Sequence, residues 1–439
     1  MIDEKLKVAA NYLDSGFFDK AQVVYNEIIN IEPENELALV RLAIISLNKQ
    51  DYNQALDYLH RVCAINPSAA YFTEIANVYF DIKDYANAVN HYLKAIDSGD
   101  SSHDNFFNLA LCHFHNGHYE ESISILNHLA LVKPDDPEIY YNIALNLSEK
   151  ADFENAKLFA DRAIAIKPDY PDAQFLLSTL LLANEEYKKG FELYEWRFFK
   201  KNAVEMVNFN KPRWNGEFDK DKTIYVYHEQ GYGDSIMFAR FIPLLAEKFK
   251  KVLFKPQSGL EKLFSDSGLS ADIINNKVPG TELEFDCYIQ LMSLAKILDI
   301  NIETIPSKEG YIKADPEIVK RYKEKYFDNS FYKIGLAWQS NPNVAQKRSL
   351  ELKYLIKLAN TDNIKLYSLQ KGYGTEQIND LNDSSIITEL GSGFSDFSDT
   401  AAAIANLDLV ITIDTSIAHL AGAMGKNTAV LLPYIANWK

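Results

Sequence analysis

A helical-repeat solenoid followed by an α/β region of two parallel-sheet halves is the fold class this sequence predicts, on three observations. An aromatic residue followed three positions later by a small one recurs as Phe18/Ala21, Tyr52/Ala55, Tyr85/Ala88, Tyr119/Ser122, Phe153/Ala156 and Tyr187/Gly190, every 34 residues with one step of 33. The period then stops near residue 200. Beyond it, short β-branched and aromatic runs alternate with amphipathic helical stretches, the pattern of a parallel sheet with crossover helices.

A second series of small residues keeps the same time at Ala9, Ala43, Ala76, Ala110, Ala144 and Ser178. Prolines recur at Pro33, Pro67, Pro134 and Pro168, with Asp100 in the remaining place. Two helices that cross closely need small residues at the crossing and an aromatic to fill the gap beside it. A proline suits the point where one pair ends and the next begins. This combination resembles the tetratricopeptide repeat, with six units over residues 1–200. Residues 86–96 illustrate the apolar spacing of one helix within a unit. Stacked helix pairs present a concave face that such repeats commonly use to hold a peptide or protein partner.

Charge and composition narrow the function classes. The net charge is −16, and residues 1–200 hold 31 Asp and Glu against 17 Lys and Arg. The acidity therefore lies on the repeats, which argues against nucleic acid as their partner. Cys63, Cys112 and Cys287 are too few and scattered for a disulfide framework. No apolar run is long enough to span a membrane, and the start lacks a signal-peptide core, so a cytoplasmic location is expected. Cys112, His113, His115 and His118 could be drawn as a metal site, but helical spacing points them in different directions, and a structural role is expected. The aromatic-rich stretch 190–199 is expected to be the surface where the solenoid docks on the next domain.

Residues 201–221, with Pro212, Asn215 and Gly216, are expected to form a linker. Two series of strands follow, one in each of two lobes at 222–328 and 329–439. Strands are predicted at 223–228, 251–254, 271–274 and 285–290, then at 332–338, 364–369, 386–388, 408–413 and 428–432. A helix is predicted over 235–249. Ligands of parallel sheets collect at the carboxyl ends of the strands.

Three strand-end loops carry candidate chemistry. In the first, Gly231 and Gly233 would let backbone approach a ligand, and Asp234 stands at a helix start. Asp234 reads equally as a group facing the cleft or as a helix cap. In the second, Ser340 and Asn341 follow a strand, and Lys347 and Arg348 could neutralise a diphosphate or simply be solvated. In the third, Asp414 ends a buried strand, Thr415 and Ser416 open a helix, and His419 lies one turn on. Capping explains Asp414 and Thr415, but it does not require His419 or the small residues of 418–425.

These motifs, namely Gly-x-Gly-Asp with Pro243, Trp338-x-x-Asn341-Pro with Arg348-Ser349, and Asp-Thr-Ser-x-Ala-His-Leu-Ala-Gly-Ala over 414–423, resemble a bacterial glycosyltransferase group. The group fuses tetratricopeptide repeats to a two-lobed heptosyltransferase-like domain of the GT-B type with Rossmann-like halves. A looser similarity is to O-linked N-acetylglucosamine transferases. The resemblance implies a nucleotide-sugar donor in the second lobe, a protein or glycan acceptor toward the first, and no obligatory metal. It implies Asp234 as general base, with Lys347 or Arg348 on phosphate. Asp414, Thr415, Ser416 and His419 match the nucleotide-sugar motif, to which Gly231, Gly233, Ser340 and Asn341 are added as neighbours. The chain stops just after its last predicted strand, where that fold usually adds a closing helix. This departure motivates the alternative class, a protein-interaction scaffold whose transferase-like part is inactive or incomplete.

Overall fold

Each predicted repeat becomes one helix pair, because its aromatic starts the second helix and its small residues sit at the crossing. The computed structural model describes every residue except 204–205, 307–309, 329, 342–347, 382, 437 and 439. The pairs are α1 (Ile2–Asp14) with α2 (Phe18–Ile31), α3 (Glu36–Asn48) with α4 (Tyr52–Ile65), and α5 (Ala69–Asp81) with α6 (Tyr85–Asp97). They continue as α7 (His103–His115) with α8 (Tyr119–Val132), α9 (Pro137–Glu149) with α10 (Phe153–Ile166), and α11 (Pro171–Ala183) with α12 (Tyr187–Tyr194). Both small-residue series from Ala9 to Ala156 are fully buried or nearly so, which is what close crossing demands. Ser122 shows how close the crossing is: its hydroxyl donates to the Ala110 carbonyl of the neighbouring helix at 2.8 Å. Asn35, Asp51, Ser68, Asp84, Ser102, Asp136 and Asp152 cap the following helices through their side chains.

The chain divides into two compact units, residues 1–173 and 174–439. The division falls inside α11, so α12 and the aromatic stretch behind it belong to the second unit. There Phe191 and Tyr194 are buried in that unit's main core. Within the first unit Cys112 is fully buried and His115 lies flat on Tyr85, ring centroids 4.3 Å apart. Among the described residues no three His, Cys, Asp or Glu side chains are placed to hold a metal ion, and no helix is long and apolar enough to cross a membrane.

The second unit contains two parallel sheets. The first holds β1 (Thr223–Tyr227), β2 (Lys251–Lys255), β3 (Asp272–Ile273) and β4 (Cys287–Gln290), in the order β3-β2-β1-β4. The second holds β5 (Tyr332–Ala337), β6 (Ile364–Ser368), β7 (Ile387–Glu389), β8 (Leu409–Ile413) and β9 (Thr428–Leu431), in the order β7-β6-β5-β8-β9. All described pairings are parallel. Each series starts at an inner strand, steps outward twice and then crosses back to the other side of its first strand.

The expected linker is no free spacer. Trp214 is 4% exposed in the core, its backbone N–H donates to the Tyr288 carbonyl at 2.8 Å, and Phe209 caps a ring cluster with Tyr225, Tyr227 and Phe285. The helix expected over 235–249 is also different. It begins earlier, as α13 (Tyr232–Phe238), passes through a 3-10 turn at Ala239–Phe241 and resumes as α14 (Ile242–Ala246). Pro243 cannot donate a backbone hydrogen bond and crowds the carbonyl four residues back, so it starts a new helix instead of extending the old one.

Candidate functional site

Where a parallel sheet reverses its winding, the loops leaving two adjacent strands diverge and open a crevice at their carboxyl ends. The reversals fall between β1 and β4 and between β5 and β8. The two crevices are treated differently.

The first is filled by the chain's own charges. Arg197, in the turn after α12, is 1% exposed. Its Nε and Nη2 grip the two carboxylate oxygens of Glu229 at 2.7 and 2.8 Å. Its Nη1 donates to Glu195 at 2.7 Å, and Nη2 also donates to Ser293 at 2.7 Å. Arg213 completes the network on Glu195 (2.6 Å) and Gln290 (2.8 Å), while the Met292 N–H donates to Glu229 at 3.0 Å. Burial alone would lower the Arg197 pKa, but Glu229 and Glu195 outweigh it and hold the guanidinium above its ordinary value. Burial likewise pushes Glu195 up, and Arg197 and Arg213 overcome it, leaving that carboxyl below its ordinary value.

The second crevice opens into a cleft of about 870 Å³. Its wall on the first sheet's side is the start of α13, with Gly231, Gly233 and Asp234. Opposite stand Ser340, Asn341 and Arg348 from the loop after β5, and Asp414, Thr415, Ser416 and His419 from the loop and helix after β8. The fold thus brings together the sequence-predicted site residues, apart from Lys347, which lies outside the described residues.

Several of these residues are held for reasons the sequence did not reveal. Asp234 is the third residue of α13 and caps the helix start from there, its Oδ2 accepting from the N–H of the cap residue Gly231 at 3.0 Å in a capping box. A Cβ on Gly233 would lie 2.5 Å from Cδ2 of His419. The second glycine therefore admits the imidazole of the opposite wall, where the sequence suggested room for a ligand. The walls also meet where Tyr232 packs on Phe397 (4.9 Å between centroids) and where the Phe397 N–H donates to the Gly259 carbonyl at 3.2 Å.

On the second sheet's side, Asp414 is 7% exposed and pairs with Arg348, Nη1 to Oδ2 at 3.1 Å. That ion pair spans the crevice between the β5 and β8 loops. Helix α21 (Ser416–Ala423) has Thr415 at its cap position, but the Thr415 side chain makes no capping hydrogen bond, so capping does not account for Thr415 here. In this numbering the short helices at Glu261–Ser267, Leu294–Ile297, Pro316–Tyr326, Leu352–Leu355 and Glu376–Asn379 are α15 to α19, and Phe397–Ala405 is α20. The first amides of α21 and its positive dipole end face the cleft beside Arg348, an arrangement suited to an anion.

Lining residues that the sequence motifs did not single out include three polar ones at the exit of β6. Lys371 and Tyr373 follow β6, and Gln370 is buried between the β5 and β6 loops. The Gln370 carbonyl oxygen accepts from the backbone N–H of Trp338 and of Gln339, both at 3.0 Å. Its amide donates to the carbonyls of Gln339 (2.9 Å) and Tyr373 (2.7 Å), so one side chain fixes both strand exits. Lys371 donates to the Phe394 carbonyl and joins Arg348 as a cation among the described residues of the cleft. The strand-end rule applied to β6 would have found all three.

Comparison with known proteins places the first unit. Tetratricopeptide repeat models match residues 73–138 and 137–170, so the N-terminal region is a solenoid of this repeat, a scaffold suited to protein interaction. Protein FlbA of Caulobacter vibrioides is 26% identical over 341 residues, covering 69% of this chain and 56% of FlbA. The first unit has only 173 residues, so that match runs well into the second. BBSome complex member BBS4 of Bos taurus is 24% identical over 200 residues, covering 45% of this chain and 38% of BBS4. The chain thus spans little more than half of one relative and less of the other. Among solved structures, MamA (19% identity, TM-score 0.36) and the tetratricopeptide protein YrrB (18%, 0.36) each cover 38% of this chain and 92% and 88% of their own.

Proposed function

We propose that the second unit is a GT-B-type glycosyltransferase with two Rossmann-like lobes, moving a sugar from a nucleotide sugar to a protein or glycan acceptor. The repeats recruit that acceptor or a partner. The observation that carries this reading is the asymmetry of the two crevices. The one between β1 and β4 is filled by Arg197 and Glu229, and the one between β5 and β8 is open. This asymmetry supports a nucleotide site at the second sheet, facing the α13 wall.

In this reading Arg348, Lys371 and the start of α21 meet the charge of the diphosphate as it departs. Asp234 on the opposite wall takes the proton from the acceptor hydroxyl as the sugar is transferred. Ser340, Asn341, Thr415, Ser416 and His419 line the donor side and orient it.

A scaffold without catalysis is the second reading, favoured by the engagement of the Asp234 carboxylate with the Gly231 N–H. Calorimetric titration of the full chain with a panel of nucleotide sugars and nucleoside diphosphates separates the two. The transferase reading expects one nucleotide class to bind with Kd between about 1 µM and 1 mM, the usual range for enzyme substrates. A panel with no binder leaves the scaffold reading standing alone.

A further inference from the structure

The geometry points to Asp414 as a built-in stand-in for ligand phosphate: the incoming diphosphate takes Arg348 from Asp414, and the released carboxylate turns to hydroxyl groups of the same ligand. This rests on the nucleotide-sugar reading of the cleft and deepens it by naming how the site chooses its ligand.

Two observations carry the inference. The carboxylate of Asp414 is nearly buried and sits directly before the start of α21, which the Thr415 side chain does not cap and where an anion is stabilised by the helix amides. It also holds the guanidinium of Arg348, which is a third exposed to the cleft and is the cation best placed, by its planar fork, to grip a diphosphate. A phosphate entering this corner competes with a carboxylate already there. Bare pyrophosphate must break the Arg348–Asp414 pair and leave a nearly buried carboxylate without its cation, which is costly. A nucleoside diphosphate breaks the same pair but offers hydroxyl donors to the freed Asp414, recovering part of that cost. Asp414 therefore sets specificity: it holds down affinity for free phosphates and favours ligands that carry hydroxyls beside their phosphates.

Four variants of the full chain, Asp414→Asn, Asp414→Glu, Arg348→Gln and the double Asp414→Asn/Arg348→Gln, are titrated with inorganic pyrophosphate and with the nucleoside diphosphate that binds the unaltered chain best. Asp414→Asn is expected to bind pyrophosphate about tenfold tighter or more, with no gain for the nucleoside diphosphate. Asp414→Glu keeps the pair and stays within about threefold of the unaltered chain for pyrophosphate. In the Arg348→Gln background the Asn substitution changes nothing, because the cation being contested is gone. Unchanged or weaker pyrophosphate binding in Asp414→Asn overturns the inference. So does an equal gain in the Arg348→Gln background, which would mean simple charge repulsion. If the unaltered chain and every variant bind neither ligand, the nucleotide reading of the cleft fails with it. Thermal melts identify any variant that does not fold, and Asp414→Glu then decides, since a tenfold gain there also overturns the pair exchange.

Discussion

Arg197→Met is expected to destabilise the second unit by about 3–5 kcal/mol, the cost of removing one partner from a buried ion pair. The guanidinium is 1% exposed and satisfies two carboxylates and Ser293. Methionine fills much of its volume but takes the two-pronged cation away from the buried Glu229 carboxylate, which keeps the Met292 N–H. In a unit of this size such a loss lowers the melting temperature by about 10 °C. The repeats in residues 1–173 should melt as before, so a calorimetric scan should show one transition moving and one standing still. Arg197→Lys keeps the charge without the fork and should fall between. A loss below about 1 kcal/mol in Arg197→Met would mean that water or neighbouring donors replace the guanidinium easily.

The second large effect follows from the proposed transferase role. Asp234→Asn is expected to lower glycosyl transfer by roughly 100- to 10,000-fold, the usual worth of a general base. Nucleotide affinity should change by less than about threefold, because the proposed donor site lies on the opposite wall. Asparagine is the informative substitution because its carbonyl oxygen can still accept from the Gly231 N–H, so the local contact survives while the basic group is removed. Asp234→Ala removes both and should cost about 1 kcal/mol of stability besides. Rates compared at saturating donor, after a melt confirms folding, check this. An Asn variant with unimpaired turnover would assign Asp234 to holding the α13 loop alone.

Much of the architecture was legible because the relevant forces are local and repeated. An aromatic at the start of each second helix and an alanine at each crossing leave the same mark every 34 residues, and each described strand coincides with a β-branched or aromatic run. The turns inside the repeats were harder to read. The left-handed residue that ends each first helix is glycine at Gly16 and Gly117, but Gln50, Lys83, Ala151 and Glu185 occupy the same position with positive φ. Helix stacking overrides the residue preference there. The strand-end loops of the site were legible from their position, whereas their internal contacts were not. Gly233 answers to His419, far away in sequence, and Arg197 answers to Glu229 and Ser293. Long-range pairs of this kind leave no periodic signal, so only the fold reveals them.

Hydrogen exchange of the full chain, with and without a saturating nucleotide sugar, tests the central claim most directly. Opening events on the scale of minutes to hours report which backbone amides the ligand secures. The account predicts slowed exchange at the start of α21 and in the loop before it, residues 412–420, and at 231–239 on the facing wall, with residues 1–173 unchanged. Protection confined to the repeats, or bound ligand that leaves 412–420 untouched, would contradict it.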